Sequence, residues 1–302
     1  MDRVVAYPED AALAALAAEP FALHRPARQS VPFVFASPHS GRLYPTSFLA
    51  ASRLDALSLR KSEDAYVDEI FAAATHCGAP LIAARFPRAF VDVNRAASEL
   101  DPAMFDGPLA MGAVPRTARV AAGLGVIPRV VRDGLEIYHM ALPPEEASFR
   151  LTALYRSYHG ALARLVDETH ARFGVCVVVD CHSMPSAARA ADIVIGDRHG
   201  EAAAQALIAH AQAALAAQGF SVSRNTPYAG GHTTALYGVP ARGLHALQIE
   251  VGRALYLDEE RIEKRAGFTA LVARLTGFVE ALVDIDANLL ARPFAEVRPR
   301  TA

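Results

Sequence analysis

Short apolar runs, each closed by a polar turn, alternate along most of the chain with stretches of helical periodicity. The run 177–179 is three valines, as expected of a central strand that is covered on both faces. Comparable runs predict strands at 33–36, 81–84, 90–93, 192–196, 220–223 and 244–251. Apolar positions three and four apart predict helices over 11–18, from 62 to about 77, and over 145–173, 199–218 and 258–283.

This alternation predicts an α/β fold of three layers, in which a mixed, mostly parallel central sheet lies between helices on both faces. With 302 residues and 52% hydrophobic residues, the chain is expected to form a single catalytic domain over 1–302. Regular periodicity is weak between 96 and 144, where Pro and Gly recur. Because long irregular segments are usually functional or mobile, we interpret this one as an excursion near the site.

Composition excludes several classes of function. The net charge of -2 predicts no broad basic surface for nucleic acid, so an anionic substrate needs a few local arginines. No apolar run reaches the ~18 residues of a membrane helix, and the acidic N-terminus does not resemble a signal peptide. The three cysteines form no CxxC pair, which favours a reducing, cytoplasmic location.

Polar side chains that suit metal chemistry recur where predicted elements begin or end. His39, His182 and Glu250 follow or end predicted strands, and Glu63 and Asp64 begin a predicted helix. Because strand carboxyl ends meet at one edge of an open α/β sheet, we expect these side chains to converge. Two imidazoles and one carboxylate leave a fourth position open on zinc, while another carboxylate can take a proton from water.

Each of these residues also has a structural interpretation. Glu63 and Asp64 would both stabilise the dipole of the predicted helix, and the residue pattern does not choose between them as a ligand. The two histidines would be hydrogen-bonded in turns or the core, and Glu250 would pair with Arg253. The coincidence of four such residues at element ends favours the metal interpretation.

Six segments, in order, resemble the N-formylglutamate amidohydrolase family over about 32–282. That family is related in fold to zinc carboxypeptidases, so the resemblance implies a phosphorylase/hydrolase-like sheet. The segments are Ser-Pro-His-Ser-Gly at 37–41, Glu-Asp-Ala-Tyr-Val-Asp at 63–68, Val-Asp-Val-Asn-Arg at 91–95, Asp-Cys-His-Ser at 180–183, Gly-Gly-His-Thr-Thr at 230–234 and Gln-Ile-Glu-Val-Gly at 248–252.

The resemblance implies a zinc-dependent hydrolase of N-formyl-L-glutamate, a small-molecule N-acyl amino acid, with formate and glutamate as products. It implies His39, Asp64 and His182 as zinc ligands and Glu250 as the general base. For substrate binding it implies an Asn-Arg pair that grips a carboxylate, the Gly-Gly-His-Thr segment, and an oxyanion-stabilising arginine that the sequence leaves open as Arg129 or Arg116. The substrate-binding residues are then Asn94, Arg95, Arg129, Gly231 and Thr233.

One position departs from the family. Members that act in histidine catabolism are expected to carry an arginine where this chain has Ala235. If that arginine binds the second substrate carboxylate, the substrate of this chain differs. The alternatives are therefore a carboxypeptidase-like peptidase, a deacylase of acetyl- or succinyl-amino acids, and a non-catalytic binding protein. Cys181 is not expected to be a nucleophile, because it faces away from its strand neighbours.

Overall fold

The computed structural model describes residues 10–109, 117–131, 134–186 and 191–291. Its main sheet has seven strands in the order β1-β3-β2-β4-β7-β5-β6. Strand β1 is antiparallel to β3 and β5 is antiparallel to β7, whereas the other neighbours are parallel. The prediction of a mixed, mostly parallel sheet is therefore confirmed. The strands are β1 Phe21–His24, β2 Phe33–Ser37, β3 Leu81–Ala84, β4 Cys176–Met184, β5 Ile193–Gly196, β6 Val222–Arg224 and β7 Leu244–Gly252.

A separate two-stranded sheet pairs β8 Leu257–Asp258 with β9 Glu263–Lys264. Short 3-10 turns join several elements, and a π-helical turn, Arg150–Tyr155, links α6 to α7. In the part of the chain that the structure describes, no helix combines the length and apolar character that crossing a membrane requires. The α-helices are α1 Ala11–Ala18, α2 Thr46–Ala51, α3 Ala56–Arg60, α4 Val67–Ile70, α5 Ala118–Ala121, α6 Pro144–Phe149, α7 Arg156–Phe173, α8 Gln205–Ala217, α9 His232–Tyr237, α10 Phe268–Val283 and α11 Asn288–Ala291.

Two apolar cores lie on opposite faces of the sheet. Val177, Val179 and Cys181 of β4 pack into the core that includes side chains of α4, α8 and α10. Val178 and Cys176 pack into the other core, beside α1 and α7. All nine residues of β4 are buried, as predicted for a strand with both faces covered.

Two predicted helices begin later than expected. The helix predicted from 199 begins at Gln205, and the one predicted from 258 begins at Phe268, because 257–264 forms the β8–β9 pair.

Two further predicted elements are wrong. The helix predicted from Ser62 begins only at Val67, because Ser62 donates to the carbonyl of Leu59 instead of capping a helix. Asp64 precedes the helix, with its N–H bonded to the carbonyl of His39. The strand predicted at 90–93 is a series of turns in which Asp92 accepts from the N–H of Asn94.

Candidate active site

Three parallel strands place the polar residues at one edge of the sheet. His182 lies near the end of β4 and is paired in register with Glu250 of β7. Strand β2 pairs with β4 on the side opposite β7. His39 lies two residues after Ser37, the last residue of β2. The loop that carries Asp64 is joined to His39 by the 3.0 Å backbone hydrogen bond between them. The predicted convergence of the strand ends is therefore observed for these four residues.

His39, Asp64 and His182 form a compact cluster of possible metal ligands. Oδ2 of Asp64 lies 3.2 Å from Nδ1 of His39 and 2.9 Å from Nδ1 of His182. One ligand atom from each residue lies within 4.8 Å of the other two. The three residues are 1%, 1% and 3% exposed. Two nitrogens and one oxygen converging in this way match the donor set of catalytic zinc sites.

The far side of each imidazole is held by a carboxylate. Nε2 of His39 lies 2.8 Å from Oδ1 of Asp92, and Nε2 of His182 lies 3.0 Å from Oδ2 of Asp180. A carboxylate at Nε2 stabilises the tautomer that carries its proton there, which leaves the lone pair of Nδ1 for a metal. Both rings are thus oriented so that Nδ1 faces Asp64.

The second oxygen of Asp64 is bound by the protein. Its Oδ1 accepts hydrogen bonds of 3.1 Å from the hydroxyl of Ser183 and from the guanidinium of Arg253. Burial opposes a charge on Asp64, but the adjacent imidazoles of His182 and His39 hold the pKa of the carboxyl well below its usual range. Asp64 is therefore an anion with one oxygen, Oδ2, directed at the two imidazoles.

Glu63, the other candidate for the carboxylate ligand, lies outside the cluster of the two histidines. Its carboxylate accepts from the hydroxyl of Tyr44 at 2.7 Å and pairs with Arg60 at 3.1 Å. It is as buried as Asp64, so burial does not distinguish the two acids. The structure brings Asp64, and not Glu63, into the histidine cluster.

Glu250 is a buried carboxyl beside this cluster. Its Oε1 accepts a 2.7 Å hydrogen bond from the side-chain amide of Gln248. Burial raises the pKa of Glu250 to about 7, and the nearby charge of His182 opposes that rise. A buried carboxyl with a raised pKa in a cavity is a candidate acid–base group.

The cluster and Glu250 open on a cavity of about 670 Å³, large enough for a small amino-acid derivative. Part of its wall comes from the irregular excursion, through residues such as Leu124 and Val130. Among the described residues, five basic side chains and three acidic ones, Asp64, Asp92 and Glu250, line the cavity, and this excess of positive charge suits an anionic ligand. The cationic residues of the lining are Lys61, Arg88, Arg95, Arg119 and Arg253.

Asn94 and Arg95 both line this cavity. Oδ1 of Asn94 accepts from the N–H of Thr233 at 2.8 Å, and its Nδ2 donates to Asp180 at 3.4 Å. Arg95 donates to the carbonyl of Asn94 at 3.0 Å and to that of Leu124 at 3.1 Å. The side chains of this pair are therefore held in fixed positions at the cavity wall.

Gly231 and Thr233 both contact the side-chain amide of Asn94 and fix its position. A Cβ atom at Gly231 would lie 2.3 Å from Nδ2 of Asn94, so a side chain there would displace the amide. Thr233 is fully buried and contacts the same amide through its backbone N–H. Gly231 lines the cavity, whereas Thr233 is not among the described residues that do.

The remaining arginine candidates lie apart from the cluster. Arg129 pairs with Glu136 at 3.2 Å and with Asp101 at 3.8 Å, and it is not among the described residues of the lining. Arg116 lies outside the described residues. Ala235 is exposed on α9 and likewise absent from the described lining.

Several functional candidates were not predicted from the sequence, among them Arg253, which binds Asp64. Arg88 lines the cavity and donates at 2.9 Å to Asp92, the residue that holds His39. Arg119 is exposed, lines the cavity and makes no ion pair with a described residue. A signal for Asp92 existed in the segment 91–95, but interpreting that segment as a strand concealed it.

Comparison with known proteins connects this site to one family. The sequence model of the N-formylglutamate amidohydrolase family matches residues 31–257. A curated N-formylglutamate deformylase of Pseudomonas aeruginosa is 29% identical over 243 residues, which are 77% of this chain and 85% of that protein. One of Pseudomonas putida is 28% identical over 238 residues, 76% of this chain and 83% of that protein.

Solved structures agree with the sequence comparison. The crystal structure of an N-formylglutamate amidohydrolase from Ralstonia eutropha JMP134 is similar, with a TM-score of 0.82 and 35% identity. The match covers 87% of this chain and 97% of that one. A protein of Agrobacterium tumefaciens, 19% identical with a TM-score of 0.63, shares the fold over 87% of this chain and 94% of its own.

Proposed function

The chain belongs to the N-formylglutamate amidohydrolase family, and from that premise we propose that it is a zinc-dependent hydrolase of N-formyl-L-glutamate. The products are formate and L-glutamate. One observation carries the proposal: two imidazole nitrogens and a carboxylate oxygen converge beside a buried glutamate in a cavity with a cationic lining. With zinc bound to these ligands, hydrolysis of an amide bond needs no cofactor besides the metal.

His39, Asp64 and His182 would hold the zinc ion. The mixed nitrogen and oxygen set suits zinc better than magnesium or calcium, which prefer oxygen ligands throughout. A zinc ion held there supplies Lewis acidity, which polarises a carbonyl and makes water a stronger acid. Asp92 and Asp180 would fix the two imidazoles, and Arg253 would orient Asp64.

Glu250 acts as the general base and then as the general acid. It takes a proton from the attacking water as the oxygen forms a bond to the formyl carbon. It returns that proton to the amine nitrogen when the C–N bond breaks. Its place supports this role, because it lines the same cavity and is paired in register with His182.

Substrate binding is assigned to the cations of the cavity. Asn94 and Arg95 hold the α-carboxylate, for which a planar guanidinium is well suited. Arg88 stabilises the negative charge that develops on the formyl oxygen, since it lines the cavity and its charge acts on both Asp64 and Glu250. Arg129, paired with Glu136 and Asp101, is the weaker candidate for that role.

Arg119 is our candidate for the side-chain carboxylate of glutamate. We predict that Arg119→Gln lowers kcat/KM for N-formylglutamate about ten-fold but changes it less than about two-fold for N-formylglutamine, which lacks that charge. Steady-state kinetics on both substrates checks this. Arg164→Gln, at an exposed position of α7, is the matched control. An equal loss of kcat/KM on the two substrates would show that Arg119 does not bind the side-chain carboxylate.

A substrate panel tests the proposed function. Zinc-loaded protein is assayed for release of the free amino acid from the N-formyl, N-acetyl and N-succinyl derivatives of glutamate, and from a C-terminal glutamyl peptide. We expect N-formylglutamate to give the highest kcat/KM. Faster turnover of an acetyl or succinyl derivative would indicate a deacylase, and faster turnover of the peptide a peptidase. No turnover and no bound metal would favour a binding protein.

Location and pathway are further parts of the proposal. All three cysteines are free, which is consistent with a reducing compartment such as the cytoplasm. A place in histidine catabolism follows only from the resemblance to family members that act there. It depends on N-formylglutamate being the preferred substrate in the panel.

A further inference from the structure

The segment from Arg88 to Arg95 carries much of the cavity wall without forming a helix or a strand. Five of its residues line the cavity: Arg88, Ala89, Asp92, Asn94 and Arg95. Turns of this kind are not held by a ladder of backbone hydrogen bonds. Backbone hydrogen bonds such as that from the N–H of Arg95 to the carbonyl of Asp92 close individual turns, but other carbonyl groups of the segment are bound by side chains from elsewhere in the protein.

One helical stretch supplies these contacts to three carbonyl groups of the segment. Nε2 of His159 lies 2.8 Å from the carbonyl oxygen of Val93. The hydroxyl of Tyr155 donates to the carbonyl of Arg95 at 2.8 Å. Arg150 donates to the carbonyl of Phe90 at 3.3 Å.

The π-helical turn Arg150–Tyr155 explains why one helix can reach all three carbonyls. Residues five apart lie one turn apart in a π-helix, so Arg150 and Tyr155 face the same side. His159 follows four residues later in the α-helix and lies on that face too. Single π turns are frequent at functional sites, where they redirect side chains.

The three side chains are themselves held rigidly. Arg150 is 2% exposed, donates to Glu146 at 2.8 Å and to Tyr138 at 2.7 Å, and lies over the ring of Phe90. Burial lowers the pKa of His159 to about 4, so its ring is neutral. A carbonyl can only accept, so Nε2 carries the proton and Nδ1 faces the hydroxyl of Tyr237.

We infer that Arg150, Tyr155 and His159 are positioning residues, which fix the backbone of the segment so that Asn94 and Arg95 meet the α-carboxylate of the substrate. The inference rests on the proposed function. These residues do not touch the reacting atoms. They act through the orientation of a pair whose side chains line the cavity, and a misplacement of about 1 Å there is costly for binding or rate.

Tyr155→Phe is the principal test, because it removes one hydroxyl and leaves the ring in place. We expect KM for N-formylglutamate to rise about ten-fold with kcat and zinc content unchanged. The effect should disappear with N-formyl-4-aminobutanoate, which has the same chain without the α-carboxylate. A purely structural role would affect both substrates equally.

Tyr158→Phe is the matched control. Tyr158 is fully buried in the same helix, and its hydroxyl has no hydrogen-bond partner among the described residues. Its loss should leave KM unchanged on both substrates. His159 gives an independent test. His159→Gln can still donate to the carbonyl of Val93, so it should raise KM less than His159→Leu does.

The inference is overturned if Tyr155→Phe leaves KM for N-formylglutamate unchanged, or raises KM equally on both substrates. Failure of the proposed function is a different result, since wild-type protein would then not turn over N-formylglutamate. In that case calorimetric binding of L-glutamate to the zinc-loaded protein decides. An equal Kd for wild type and Tyr155→Phe, or no binding to either, overturns the inference.

Discussion

Replacing Glu250 by glutamine is expected to lower kcat for N-formylglutamate by about 10³-fold, with KM changed only slightly. Glutamine keeps the volume of the side chain but cannot take a proton from water or return it to the leaving amine. The hydrogen bond from Gln248 shows that the side chain is held within the buried wall of the cavity. Single-turnover kinetics would assign the loss to the chemical step.

Glu63→Gln is the matched control for this experiment. Glu63 is as buried as the metal-ligand candidates, but its carboxylate binds Tyr44 and Arg60 away from the cluster. We expect this variant to lose stability and to retain kcat within about two-fold, since the lost contacts support the fold and not the reaction. Near-wild-type kcat in Glu250→Gln, with zinc bound, would exclude Glu250 as the general base.

Loss of the metal is expected to abolish activity. Wild-type protein should contain about one zinc ion per chain, lose it to a chelator together with its activity, and regain both when zinc is added. His39→Ala should bind well under one zinc per chain and fall about 10³-fold or more in kcat/KM. The reason is that Asp64 and His182 alone would provide only two of the three converging ligand atoms.

His245→Gln provides the control for a change of a buried histidine. His245 is 1% exposed on β7, where its Nε2 lies 3.0 Å from the carbonyl of Leu290, outside the described lining of the cavity. Metal analysis of both variants by mass spectrometry of the native protein separates loss of the site from loss of the fold. Full zinc content in His39→Ala would contradict the assignment of His39 as a ligand.

The sheet, and the edge at which the candidate active site lies, could be predicted from the sequence because the burial of a strand shows in its local residue pattern. The valine run of β4 indicates a covered strand, and a polar residue such as His182 at its end is visible without knowledge of its partners. The same reasoning located His39 and Glu250. It did not choose between Glu63 and Asp64, because both are nearly fully buried and the choice depends on which carboxylate faces the imidazoles.

Two of the mispredicted segments, 90–93 and the residues around Asp64, are held by distant residues. The segment 90–93 has the apolar composition of a strand, but contacts from Arg150 and His159 fix it as turns. Likewise, an acidic residue such as Asp64 is typical of the first turn of a helix, yet hydrogen bonds with His39 and Arg253 hold it in a loop. Such contacts join residues far apart in sequence, so local periodicity contains no information about them.

The pairing of β4 with β7 has a consequence for how the molecule acquires its metal. His182 and Glu250 meet only through a parallel register between strands that are distant in the chain, and His39 reaches them only when β2 has joined β4. Contacts of such high sequence separation form slowly and late in folding. A partly folded chain therefore presents no complete set of ligands, so metal occupancy would report that the native topology has been reached.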